Sequence, residues 1–438
     1  MNESIVTPEQ LPSTVFDVLA AQPVWDLHTH LYPPSFGTPV ANATGKTNPR
    51  GLMLWGIDEL ITYHYLIAEV YRVVPPTVMP YEQYWKMTRR QQADYIWKNL
   101  FIEHSPISEA CRGILTSIKL LGFDANDGLE KIRKYIEQQD PDRFVDRVMK
   151  LATVERITMT NAVFDDNERE RWLANKNVGS DPRFAAVLRI DPMLRNWPTA
   201  AKKLSEWGYQ TSLELNQKTI EESRRFLRDW LDRMKAIYIA VSLPPEFRYP
   251  AEVGDVDRAG QKVLEQVVLP VCAERKLPFA MMIGSRLRVN PDLRDGGDMC
   301  GKADIASLVR ICQSYPQNKF LVTMLARENQ HELAVAARKF GNLMVFGCWW
   351  FVNNPSLIEE ITRMRMELLG SSFIPQHSDA RILDQLIYKW DHSRRIIGKV
   401  LIDKYSDLLQ TGWKLTKSQI QRDARLFLRD NFVEFLNR

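Results

Sequence analysis

From residue 151 almost to its end, the chain repeats one local theme: a short apolar run, a polar turn, then an amphipathic stretch. The runs fall at residues 156–164, 184–191, 236–243, 278–285, 319–325, 343–350 and 373–379, and residues 24–30 supply an eighth. They are largely continuous rather than alternating, which is the pattern of strands covered on both faces of a parallel sheet. Eight such strands alternating with helices predict an α/β fold, a closed (β/α)8 TIM-type barrel. An open doubly wound sheet is the rival, but no GxGxxG turn or P-loop supports it.

The intervening pieces carry helix signals. Thr219-x-x-Glu222 and Thr416-x-x-Gln419 read as capping boxes, and Asn354-Pro355 opens a helix that Gly370 closes. Leu357, Ile361, Met364 and Leu368 recur at helical spacing inside that last helix. Near the C-terminus, Ile420, Phe427 and Leu428 share a face, which reads as packing. Residues 31–150 are too long for one crossover. They hold helical patterns at 57–70 and 84–103 and a turn-rich stretch at 36–51. The expected organisation is therefore an N-terminal segment with the first strand (1–30), a mostly helical insertion over the active-site end (31–150), and the rest of the barrel with a C-terminal helical extension (151–438).

Composition narrows the function classes. At 45% hydrophobic and 26% charged residues the chain is ordinary globular protein, which excludes disorder, collagen and coiled coil. Lys and Arg number 58 against 54 Asp and Glu, with no concentrated basic run, so no nucleic-acid partner is expected. No apolar stretch of about 18 residues predicts a membrane helix. The start, Met1-Asn2-Glu3-Ser4, lacks the basic and apolar regions of a secretory signal. Five scattered cysteines without CxxC spacing suggest neither a disulfide framework nor a thiolate zinc site. A cytoplasmic protein is expected; a homo-oligomer stays open.

The strongest chemical signal is Asp26-Leu27-His28-Thr29-His30 at the end of the first run. Strand alternation points His28 and His30 the same way. Two imidazoles at the mouth of a barrel can bind one divalent ion, Zn2+ by preference. A working metal site needs a further protein ligand, and the eighth run ends His377-Ser378-Asp379. In a closed barrel that run adjoins the first, so Asp379 can approach His28 and His30 and keep an oxygen free to move protons. Satisfied structural histidines, and a helix cap at Asp379, are the plainer readings. His377 can join the site or stand behind it.

With these residues in place, the chain resembles the amidohydrolase superfamily and, within it, uronate isomerases. The resemblance rests on residues 55–72 with His64-Tyr65 inside, Phe164-Asp165-Asp166, Gly347-Cys348-Trp349-Trp350-Phe351-Val352-Asn353, Ser378-Asp379-Ala380-Arg381 and Asp391-His392-Ser393-Arg394-Arg395. It implies that His28, His30 and Asp379 hold the metal, and that Asp379 also transfers the proton. It further implies that His64 and Tyr65 reach in from the insertion. Arg189 and Arg381 are implied to bind substrate, with Trp349 and Trp350 beside them. The substrate class implied is a small sugar acid. An arginine suits its carboxylate because the planar fork makes paired charge-assisted hydrogen bonds.

The sequence also departs from that family. Met281-Met282-Ile283-Gly284 stands where a histidine precedes Ile-Gly, and Val241-Ser242-Leu243-Pro244-Pro245 where an Ala-Ser-Asp-His type segment is usual. Glu246, Arg286 or Arg327 are the candidates to fill those gaps. The leading expectation is metal-dependent aldose–ketose isomerisation of a uronate by proton transfer. The alternatives are a metal-dependent hydrolase of a lactone, ester or amide, and a non-catalytic binding protein on the same barrel.

Overall fold

Seven strands lie side by side in one curved sheet, every neighbouring pair parallel. In chain order they are β1 (Val24–Thr29), β2 (Val154–Ala162), β3 (Phe184–Arg189), β4 (Ile239–Leu243), β5 (Phe279–Ile283), β8 (Phe320–Met324) and β9 (Leu343–Val345). Between β5 and β8 a two-stranded hairpin intervenes, β6 (Ser285–Arg286) against β7 (Met299–Cys300). The computed structural model describes residues 5–41, 47–175, 177–252 and 254–438. The chain start at residues 1–4 and part of the turn-rich stretch 36–51 lie outside the described residues.

The barrel is closed by residues 373–379, which bond to strands on both sides. Gly347 N donates to Ile374 O at 2.8 Å on the β9 side; Asp379 N donates to His28 O at 3.1 Å on the β1 side. The eighth run is thus not a regular strand. Pro375 has no N–H to donate, and Asp379 takes a left-handed φ of 51° that ends the ladder. β9 is likewise shorter than the apolar run 343–350 suggests, because Gly347 turns the chain at φ 65°.

Leu27, Val187, Tyr238, Ala240, Ala280, Met282, Leu321, Met344 and Phe346 fill the barrel interior. The final helix, Asn431–Asn437, plugs the N-terminal end with Phe432 and Phe435, Phe432 meeting Trp25 edge-on at 5.2 Å. Helices cover the outside. The helix Gln217–Met234 begins earlier than the Thr219–Glu222 pattern implies: Asn216 accepts from Thr219 N, and Glu222 bonds to Gln210 N instead. In Pro355–Leu369 the buried face is Ile358, Ile361, Thr362 and Arg365, one position off the expected stripe; the Asn354 cap and Gly370 stop stand as read. No helix among the described residues is long and apolar enough to cross a membrane.

Between β1 and β2 stand helices Ile57–Ile61, His64–Val73, Tyr81–Lys86, Arg89–Trp97, Glu109–Leu120, Glu130–Glu137 and Pro141–Ala152. The apolar pattern 57–70 is broken at Thr62–Tyr63, so His64 opens a helix of its own. Asp384, fully buried just before the long helix Gln385–Gln410, fastens this region by accepting from Gly56 N at 2.7 Å.

Burial raises the Asp384 pKa to about 6. An unfolded aspartate titrates near about 3.9, so the folded chain holds this proton more tightly. Its contribution to stability is full below about pH 4 and is lost as pH rises to about 6. Asp384→Asn keeps an oxygen for Gly56 and removes that loss. Urea unfolding should find the variant more stable than the parent by about 2–3 kcal/mol at pH 8 and nearly equal at pH 4. A difference that did not change with pH would rule out this account.

Candidate metal centre and active-site cavity

Both histidines of β1 face the barrel mouth because the strand is not regular. Trp25 and Leu27 belong to the interior cluster, and Asp26 points outward to accept from Trp390 Nε1 at 2.8 Å. Strict alternation would then send His28 outward as well. The β1–β2 register slips between Asp26 and Thr29, which turns His28 and His30 inward. The nitrogens His28 Nε2 and His30 Nε2 each lie 3.4 Å from Asp379 Oδ1. One donor atom from each of the three residues lies within 4.8 Å of the others.

These residues fit a cation. Asp379 Oδ1 is buried without a hydrogen-bond partner among the described residues, an arrangement that costs free energy unless a positive charge or donor completes it. Two imidazoles and a carboxylate are a suitable donor set for a divalent metal. Burial pulls His30 down to about 4, so it is neutral near pH 7. Burial pushes the Asp379 carboxyl up, but His28 and His30 hold it well below the usual carboxylate range, so it is ionised. Thr160 Oγ1, 3.1 Å from His30 Nδ1, orients that ring.

The trio opens on a cavity of about 100 Å³. Its walls include His64, Arg189, Trp349, Trp350 and Arg381 of the expected site residues. Arg189 is held by Asp191 at 2.8 Å, and Arg381 by Asp295 at 2.8 Å. Burial, reinforced by the Arg381 charge, pulls His64 well below its usual pKa; its buried Nε2 has no partner among the described residues. Trp349 belongs to the interior cluster, while Trp350, left-handed at φ 48°, sets its ring 5.7 Å from that of His64. A hollow of about 260 Å³ adjoins, sharing Tyr63, His64, Asp295 and Arg381.

Tyr65 is not among the residues that line this cavity: one residue into the helix that His64 opens, its ring packs 4.7 Å from that of Tyr63 and lies 5.7 Å from Lys389 Nζ. Tyr63, just before the helix, takes the place on the wall. His377 stands behind the trio, fully buried, its ring 5.0 Å from that of His28. Glu246, Arg286 and Arg327 fill no gap in the cavity. Glu246 and Arg286 pair with each other at 2.7 Å in an exposed position, and Arg327 pairs with Glu360. Met282, Ser242, Ser285 and Asp298 line that side instead. The signal for Asp295 and Asp298 was Asp295-Gly296-Gly297-Asp298 after the fifth run, which reads by itself as a solvated turn.

No protein-family model and no curated protein matches the chain. Among solved structures it is similar to the uronate isomerase from Bacillus halodurans C-125, at 49% identity and a TM-score of 0.91, covering 99% of this chain and 98% of that one. It shares the fold of the uronate isomerase from Thermotoga maritima, at 13% identity and a TM-score of 0.77 over 99% and 98% of the two chains. The glucuronate isomerase from Caulobacter crescentus shares it too, at 14% identity and a TM-score of 0.74 over 100% and 96%.

Proposed function

The chain belongs to the uronate isomerase family and is an aldose–ketose isomerase, and from that premise we propose how its own residues act on an open-chain hexuronate. The observation that carries the reading is the meeting of His28, His30 and Asp379 on a cavity that also receives Arg189 and Arg381. A carboxylate beside two imidazoles suits proton transfer, and guanidinium groups suit the substrate's acid group.

His28, His30 and Asp379 would hold one divalent ion, Zn2+ by the preference of that donor set. When bound, such an ion supplies Lewis-acid stabilisation of the negative charge that builds on the substrate's oxygens. Asp379, ionised, takes the proton from C2 and returns it to C1, while the hydroxyl proton moves from O2 to O1. The neutral His64, its Nε2 unpartnered, hydrogen-bonds the oxygen on C1 and passes that second proton. Arg189 and Arg381 bind the carboxylate at the far end. Trp350 covers the reacting carbons and excludes water; Trp349 supports it. Residues 31–150 act as the helical cover of the mouth. The five cysteines are unpaired, four of them buried, which suits a reducing cytoplasm.

Incubation of metal-loaded protein with glucuronate and galacturonate in deuterated water tests the reading. We expect a ketouronate, with deuterium on C1 in the fraction of turnovers in which the protonated Asp379 exchanges with solvent before it returns the proton. Neither ketose nor carbon-bound deuterium from any uronate would reject it, and turnover of a lactone or ester without ketose would replace it with hydrolysis.

A further inference from the structure

Order around the sheet places β4 and β5 across the barrel from β1 and the closing residues 373–379. The metal-type trio therefore occupies one wall of the cavity, and the ends of β4 and β5 the opposite one. That opposite wall has lost the family's histidine and aspartate, yet it is polar. Ser242 Oγ and Ser285 Oγ lie 3.3 Å apart, both residues buried, and Asp298 lines the same cavity.

The carboxylate of Asp298 is fixed in place. Its Oδ1 accepts from Arg288 N at 2.7 Å, and Oδ2 accepts from no described residue. The hairpin that carries it is pinned at both ends: Gly301 N donates to Gly284 O at 2.8 Å, and Trp85 Nε1 of the insertion donates to Asp292 O at 2.8 Å. A Cβ on Gly297, next to Asp298, would lie 1.8 Å from Asn290 O, so this turn admits no looser packing. A held carboxylate only accepts, whereas a serine hydroxyl donates and accepts. Together they match a row of hydroxyl groups whose donor directions depend on configuration.

We propose that Asp298, with the Ser242–Ser285 pair, reads the hydroxyl groups on the carbons beyond the reacting ones and sets which epimer this enzyme accepts. The inference rests on the isomerase reading for the orientation of the substrate. A site built to hydrogen-bond a hydroxyl rejects a ligand that leaves its polar groups unpaired.

Glucuronate and galacturonate, which differ at C4, are the test pair for turnover; the acids left when their aldehydes are reduced, gulonate and galactonate, are the pair for binding by calorimetry. The parent is expected to prefer one epimer by about tenfold or more. Asp298→Asn retains an oxygen for Arg288 and should collapse that preference chiefly through KM, with metal content unchanged. Ser242→Ala should weaken the same preference, and Arg286→Ala, on the same hairpin but paired outward with Glu246, should not. A parent that accepts both epimers alike, or an Asp298→Asn variant that loses kcat equally on both, overturns the proposal. Aldonate discrimination that Asp298→Asn abolishes, in a protein without turnover of either uronate, would uphold this wall and reject only the isomerase reading. A parent that binds neither aldonate overturns both.

Discussion

Substituting Asp379 by Asn will lower kcat by about 10²–10⁴ while the fold stays intact. The backbone link that closes the barrel, Asp379 N to His28 O, does not involve the side chain. Asn also tolerates the left-handed φ of 51° better than other replacements. What the variant cannot do is carry a proton from one carbon to its neighbour, because an amide is neither base nor acid near pH 7. It also offers a weaker ligand to a cation. His28→Ala separates the two roles: it removes one of three ligands and should bring bound metal from about one per chain to near zero, with Asp379 still ionisable. Metal analysis and steady-state kinetics on the same preparations decide the matter. Unchanged metal content in His28→Ala, or an Asp379→Asn enzyme within tenfold of the parent, would disprove the assigned centre.

The barrel and this centre were legible because their causes are written locally. Strands covered on both faces must be apolar throughout, and His-x-His at a strand end keeps its meaning even when the strand is irregular. The irregularity itself was not legible. Nothing in Asp26-Leu27-His28-Thr29 announces a slipped register. The place of Tyr63 on the cavity wall was not legible either, because no side-chain cap marks where His64–Val73 begins. At Gln217–Met234 two capping signals competed, and the one three residues earlier prevailed.

Acidic turns mislead for a different reason. Asp298 looks like a solvent-facing loop residue, as Asp295 beside it remains, until the hairpin folds back over the mouth and Trp85 fastens it. Conversely, two motifs that carry the family resemblance serve packing. Asp165 caps the helix Asp166–Ala174, and Arg394 reaches the carbonyls of Gln22 and Thr153 at 2.8 and 2.9 Å, tying the first helix to the last turn before β2. Residues that hold a site in place leave the same mark on a sequence as those that line it.

Gly347 shows how such support reaches the metal centre, and Gly347→Ala is the second large effect expected. Its φ of 65° already disfavours a side chain, by roughly 1–2 kcal/mol. A Cβ there would lie 1.9 Å from His377 Cδ2, an impossible contact. The backbone cannot retreat, since Gly347 N donates to Ile374 O and Gly347 O accepts from Arg365 Nη1, both at 2.8 Å. The imidazole must therefore move, and it is fully buried between the rings of Phe346 and His28, at 5.4 and 5.0 Å. Overpacking of this kind adds about 1–3 kcal/mol, so the total loss should be roughly 2–5 kcal/mol. Displacement of His28 should also cut metal affinity by about 10–100-fold, as loss of supporting contacts does. Gly341→Ala, with open space around its new methyl, is the neutral comparison. Adding His377→Ala to Gly347→Ala removes the clashing ring and should restore part of both losses, whereas independent sites would simply sum. A Gly347→Ala protein with parental stability in urea and parental metal affinity would show that this glycine does not shape the centre.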